Sequence, residues 1–101
     1  MSTVETQGTQ TVVKPETNIV STMTQDFQRE LKDLIDKGQK TLTLDLTGVN
    51  MIDSIGLGLL IATHNTLSKQ GGKLVVIHAS GDLLSLFRTM RLDKHFDVSG
   101  D

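Results

Sequence analysis

The segment 52–58, with the sequence IDSIGLG, holds the residues whose types and spacing could carry chemistry. An acid, Asp53, stands beside a hydroxyl, Ser54, and Gly56 and Gly58 follow. The apolar residues after it recur at helical spacing, so the segment predicts the start of a helix. Asp and Ser are both good N-cap residues, because their side-chain oxygens accept hydrogen bonds from the free N–H groups of a first turn.

Four roles are open to Ser54. Capping is the simplest, but one cap suffices where two stand side by side, so one of them can face solvent. A nucleophile elbow, GxSxG, needs glycine two residues before the serine, where Ile52 stands, although a triad assembled in space stays open. A phosphate-binding loop lacks its motif here, and Asp53 would repel a nucleotide. The fourth role is modification, since a phosphate adds about −1.5 to −2 charges at pH 7 beside a helix N-terminus that partly stabilises them.

The two glycines also need a physical reason. Glycine inside a helix costs about 1 kcal/mol relative to alanine. Gly56 and Gly58 both fall in the first turns of the predicted helix. They therefore predict the close approach of a strand or of a partner.

Hydrophobic periodicity predicts the elements that must position this segment. Alternating and continuous apolar runs predict strands, and apolar residues at a period of 3.6 predict helices. The order ββαβαβαβ indicates a single α/β domain with a mixed, mostly parallel sheet, an N-terminal hairpin and about three packed helices. The predicted strands are 2–6, 9–14, 41–48, 73–79 and 95–98, and the predicted helices are 21–38, 55–70 and 80–92.

Several finer expectations follow from the same pattern. Ser21 or Thr22 is expected to cap the first helix, and Gly38 to follow its end. The third helix is expected to take Ser80 or Asp82 as its cap. The apolar run 73–79 is typical of a strand covered on both faces, which would bury His78, and Phe87 and Met90 are expected in the core.

Composition excludes several classes of function. The 101 residues include no Cys, and the three His lie far apart, so neither a disulfide nor a metal site is expected. The formal net charge is −2 and no basic cluster occurs, which argues against nucleic-acid binding. No apolar run is long enough to span a bilayer. A cytoplasmic protein without a cofactor of its own is expected.

The central segment, LTLDLTGVNMIDSIGLGLLIATHNTLSKQGGKLVVI, resembles the STAS domain of anti-sigma-factor antagonists. The matching features are a strand ending in Leu-Asp-Leu, a Val-x-hydrophobic-Asp-Ser-x-Gly-Leu segment, a helix, a Gly-Gly turn and a further strand. The segments PETNIVSTMTQDFQREL and LLSLFRTMRLDKHFDV fit the flanking parts of the same domain. The resemblance spans nearly the whole chain and implies one STAS domain over residues 1–101.

The resemblance implies a bacterial signalling protein that regulates transcription by partner switching. The unphosphorylated antagonist would bind an anti-sigma factor of the serine-kinase type and free a sigma factor. The kinase, using its own ATP, would phosphorylate Ser54, and a PP2C-type phosphatase would restore the free form. The partner-binding residues implied are Asn18, Asp53, Ser54, Ile55, Gly56 and Leu57.

Three features depart from the family pattern. Ile55 stands where the family often has a small hydroxyl residue, and Asn18 stands where many members carry an acid. The C-terminal helix of many members is missing after Asp101, which is expected to expose sheet surface or to alter which partners fit. Asn18 and the missing C-terminal helix favour an alternative, in which the chain is an unphosphorylated adaptor or scaffold in a stress-sensing or transport-ATPase complex.

Overall fold

Five strands form one mixed sheet in the computed structural model, which describes residues 2–100. Met1 and Asp101 lie outside the described residues. The elements are β1 (Thr3–Gln7), β2 (Gln10–Lys14), α1 (Ser21–Asp36), β3 (Thr41–Asp45), α2 (Ser54–Lys69), β4 (Lys73–Ala79), α3 (Gly81–Thr89), a 3₁₀ turn (Leu92–Lys94) and β5 (Asp97–Gly100).

The strands lie in the sheet in the same order as in the chain. β1 pairs antiparallel with β2, and each later neighbour pair is parallel. Because right-handed crossovers that all step in one direction place their helices on one face of the sheet, α1, α2 and α3 share a face. The predicted element order and the mixed, mostly parallel sheet with its N-terminal hairpin are confirmed.

The core lies between this helical layer and the inner face of the sheet. Alternate residues of each inner strand point into it, and the stripe of each helix that faces the sheet closes it. Its fully buried members include Val13, Leu42, Leu44, Val76, Phe27, Leu60, Leu67 and Phe87.

The outer face of the sheet has no helix over it among residues 2–100. In β4, Leu74 and Val76 are buried, whereas Val75 and Ile77 are partly exposed. The prediction that this strand is covered on both faces was therefore wrong. Val and Ile have high strand propensity, which explains an apolar run without burial on two sides.

Two side chains that were expected to be buried are exposed to solvent. His78 is exposed and has φ 57°, at a register shift between β4 and β5. The bulge turns its side chain away from the buried side of the strand. Met90 is 46% exposed because α3 has ended at Thr89, whereas Phe87 is buried as expected.

The helix ends agree with the sequence in part. The N-cap position of α1 is Val20, which makes no side-chain cap bond, so the expectation of a cap by Ser21 or Thr22 was wrong. At its other end Gly38 has φ 93°, which suits glycine and confirms its place after the helix. Ser80 caps α3 by accepting a bond from the Leu83 N–H at 3.3 Å.

A buried polar group fixes the N-terminal hairpin. The Thr11 hydroxyl donates to Gln39 Oε1 at 2.6 Å, and Gln39 Nε2 donates to the Gly8 carbonyl at 3.1 Å. Gly8, at φ 63°, turns the chain from β1 to β2. Gln39 therefore ties the hairpin turn to the segment between α1 and β3.

Within residues 2–100, none of the helices combines the length and the apolar character needed to cross a membrane.

Candidate functional site

The segment from β3 to α2 begins with a turn held by Asp45. Its Oδ1 accepts hydrogen bonds from the Thr47 N–H at 2.9 Å and the Thr47 hydroxyl at 2.7 Å. Partial burial raises the pKa of Asp45, but these two bonds and the nearby charges of His78 and Lys14 outweigh it, so the pKa lies below its usual value. The carboxylate thus stays charged and shapes the start of the loop.

Asn18, on the segment between β2 and α1, holds the middle of this loop. Its Oδ1 accepts from the N–H groups of Asn50 at 2.8 Å and Met51 at 3.0 Å. The two segments then pair like short parallel strands. The Ile19 N–H donates to the Met51 carbonyl at 3.0 Å, and the Asp53 N–H donates to the Ile19 carbonyl at 3.1 Å. The chain entering α2 is therefore fixed against the chain entering α1.

Asp53 caps two helices with one carboxylate. Its Oδ1 accepts from the Gly56 N–H at 2.8 Å, which caps α2. Its Oδ2 accepts from the Ser21 N–H at 2.9 Å, at the start of α1. Since α1 has no side-chain cap of its own, Asp53 supplies the negative group that its N-terminus favours.

These bonds set the charge of Asp53. The Gly56 N–H, followed by the Ser21 N–H, holds the pKa of the Asp53 carboxyl below its ordinary value of 3.8. Hydrogen bonds to the charged form of an acid stabilise that form. A carboxylate therefore lies beside Ser54 at physiological pH.

Ser54 is the first residue of α2 and is exposed. Because Asp53 is the cap, the Ser54 hydroxyl is not needed for capping, and no residue in 2–100 forms a side-chain hydrogen bond with it. Two apolar neighbours flank it, since Met51 is 54% and Ile55 is 55% exposed. The site is an accessible hydroxyl between a fixed carboxylate and an apolar rim.

The other predicted site residues lie deeper. Gly56 and Leu57 are buried, so they pack against other residues of the domain and not against solvent. A Cβ on Gly56 would lie 2.4 Å from the Ile19 carbonyl oxygen, which confirms close approach by a strand-like segment at this glycine. Gly58 is exposed, and a Cβ there would meet nothing within 4 Å.

The geometry offers no observation in favour of a hydrolase. Ser54 forms no hydrogen bond with a His among residues 2–100. His64, three turns further along α2, lies against His95 and Phe96, with ring centroids 6.1 and 5.5 Å away. In the described part of the chain, no three His, Asp or Glu side chains are grouped so as to hold a metal ion.

Two parts of the site escaped sequence reasoning. Met51 precedes the helix and belongs to no periodic pattern, so only its exposure reveals it. The bond from Ser21 to Asp53 joins residues 32 positions apart, and neither residue type indicates the other. Asn18 was predicted at the site, and the structure brings it to the loop before Ser54.

Fold and site together define a small α/β domain that presents a serine at the start of its second helix. The chain belongs to the STAS domain family, whose profile matches residues 1–101. No curated protein sequence matches the chain.

Solved structures share this fold. A Thermotoga maritima protein with a provisional assignment as an anti-sigma factor antagonist has a TM-score of 0.92 at 18% identity, covering 99% of this chain and 86% of that one. An anti-sigma factor antagonist from Mycobacterium paratuberculosis has a TM-score of 0.84 at 21% identity, covering 100% and 86%. The Bacillus protein SpoIIAA in its phosphorylated form has a TM-score of 0.78 at 14% identity, covering 100% and 93%.

Proposed function

We propose that this chain is an anti-sigma-factor antagonist that works by partner switching in the bacterial cytoplasm. Its unphosphorylated form binds a serine-kinase anti-sigma factor, phosphorylation of Ser54 releases that partner, and a PP2C-type phosphatase reverses the modification. The contact surface consists of Ser54 and Ile55 with Met51, supported by Asn18 and Asp53. Gly56 and Leu57 act beneath this surface by packing.

The exposed hydroxyl of Ser54 is the observation that supports this proposal best. Asp53 does the capping, so the hydroxyl at the next position is left for another role. The fold is shared with SpoIIAA, which has been solved in a phosphorylated form. An exposed serine at a helix start, beside apolar side chains, is suited both to a kinase and to a protein partner.

The proposed switch acts at the contact surface. Asp53 already occupies the N–H groups of Gly56 and Ser21, so fewer donors remain at the helix N-terminus than the sequence suggests. A phosphate on Ser54 would keep most of its charge facing outwards. A partner that packs apolar atoms on Ile55 would then meet a dianion next to a carboxylate, which opposes binding through both desolvation and repulsion.

The first test is phosphopeptide mass spectrometry on the protein from growing and from stressed cells. We expect a phosphate on Ser54 whose occupancy changes with condition. A Ser54 peptide that is well detected but never phosphorylated would contradict the switch and favour the adaptor alternative.

Variants then connect the modification to binding. Ser54→Ala is expected to keep the partner bound, and Ser54→Asp to weaken binding at least tenfold in a pull-down followed by calorimetry. Ser68 is a matched control, because it is an exposed serine near the other end of α2. Equal effects of Ser54→Asp and Ser68→Asp would contradict a specific role for Ser54.

A further inference from the structure

A cleft of about 450 Å³ lies between the N-terminal part of α1, Ser2 and the segment that follows β2. Its apolar walls include Pro15, Met23 and Phe27. Its charged lining consists of Asp26, Glu30 and Arg29, and the Arg29 guanidinium lies 3.4 Å from the Asp26 carboxylate, which leaves Glu30 as the acid without a cation. This volume falls within the range of pockets that bind small molecules. The cleft is separate from the Ser54 surface described above.

One carboxylate oxygen of Glu30, which lines this cleft, is unsatisfied among the described residues. Its Oε2 is buried and has no hydrogen-bond partner among residues 2–100. Its Oε1 accepts a long bond, 3.4 Å, from the Ser2 N–H. A buried acceptor without a donor is unfavourable, and such groups in native proteins call for an explanation, often an ion or a ligand.

We infer that this cleft binds a Lys or Arg side chain of a protein partner, with Glu30 as its counter-ion. The apolar walls pack against the methylene stem, as long cationic side chains require. The charged head donates to the Glu30 carboxylate, which turns from its covered position into the cleft. Such charge-assisted hydrogen bonds are stronger than those between neutral groups.

The position of the cleft favours a protein partner over a free amine. Thr17 lines it, and the next residue, Asn18, holds the loop that precedes Ser54. A partner lying on that edge of the domain can therefore reach the cleft. The choice of a protein as the occupant rests on the proposed partner surface, whereas the cation site itself does not depend on that surface or on phosphorylation of Ser54.

Asp26 provides a matched control for Glu30. It lies at the rim, where its side chain is 86% exposed and 3.4 Å from Arg29 Nη1. Exposed pairs of this kind contribute little to stability. Asp26→Asn and Glu30→Gln remove the same charge, but only Glu30→Gln removes the covered carboxylate.

The test is a titration of ¹⁵N-labelled protein with the capped peptide Ala-Ala-Arg-Ala-Ala, and with the same peptide carrying Gln in place of Arg. We expect the Arg peptide to shift the amides of residues 15–18 and 26–30, and Glu30→Gln to weaken its binding at least fivefold. Asp26→Asn is expected to change it less than twofold. Ethylammonium, a free amine, is expected to bind more weakly than the peptide.

Three results would overturn the inference. Equal shifts from the Arg and Gln peptides would mean that no cation site exists. Equal losses of affinity for the Arg peptide in Glu30→Gln and Asp26→Asn would mean that only the overall negative charge attracts the peptide. Tighter binding of ethylammonium than of the peptide would make this a small-amine site. Thermal unfolding gives an independent readout, because Glu30→Gln should not lower Tm if the carboxylate is unsatisfied, whereas a clear drop would assign Glu30 a structural partner instead.

Discussion

At the scale of single residues, Gly56 and Gly58 differ in what an added methyl group would meet. Gly56→Ala would force Cβ against the Ile19 carbonyl oxygen, since the two would lie 2.4 Å apart. We expect this substitution to destabilise the fold by about 2–3 kcal/mol through overpacking. Gly58→Ala meets open space and should stabilise α2 by about 0.5–1 kcal/mol. Urea unfolding measures both free-energy changes. A Gly56→Ala variant as stable as Gly58→Ala would contradict the close packing at Gly56.

Asp53 predicts a pH dependence of stability. Its pKa is lowered in the folded state, so its contribution is present above the ordinary value of 3.8 and is lost as pH falls through the folded-state value. Asp53→Asn should therefore lower the urea midpoint at about pH 7, and the difference from wild type should shrink at about pH 2.5. Asp26→Asn is the control and should move the midpoint little at pH 7. If the difference in urea midpoint between wild type and Asp53→Asn were unchanged at low pH, the charge of the Asp53 carboxylate would contribute nothing to stability.

At the scale of elements, Gln39 holds the β1–β2 hairpin to the rest of the sheet. Gln39→Ala would remove the acceptor of the buried Thr11 hydroxyl and the donor to the Gly8 carbonyl. We expect a loss of about 1–3 kcal/mol and faster amide exchange in the hairpin. Amides of the loop 46–53 should keep their exchange rates, and Gln25→Ala, on the exposed side of α1, should have little effect. Faster exchange across the whole chain would instead place Gln39 in the global core.

Element types could be predicted from the chain, whereas contacts between distant segments could not. Periodicity places α2 to within one residue at each end and gives the correct start of β3, because it reports which side of an element is buried. The predicted strand 41–48 extended three residues beyond the observed end of β3 at Asp45. The cap of α1 was missed because its acceptor, Asp53, lies on another element. The αL conformation of Arg91, which follows α3, also has no local sequence signal, and the prediction accordingly extended that helix too far, to residue 92.

At the scale of the whole molecule, the packing of all three helices on one face of the sheet explains why the candidate site lies at a single edge of the sheet. Each of the three helices starts where a parallel strand ends, so their N-termini share one edge of the sheet. Asp53 links two of those N-termini, which fixes Ser54 relative to α1. The sequence could predict the exposed serine, but the linkage required the three-dimensional arrangement.

The one-sided layering makes a further prediction for neighbouring residues of β4. Val76 is fully buried beneath the helices, whereas Val75 lies on the outer face opposite Thr43 and is partly exposed. Val76→Thr would bury a hydroxyl without a partner and should cost about 1–3 kcal/mol, whereas Val75→Thr should cost less than about 1 kcal/mol. The two variants make the same chemical change one residue apart. The difference between their free energies of unfolding in urea therefore reports only which face of the sheet each residue occupies. Equal costs would mean that the outer face is covered in solution, and a dependence of the Val75→Thr effect on protein concentration would then identify the cover as a second copy of the chain.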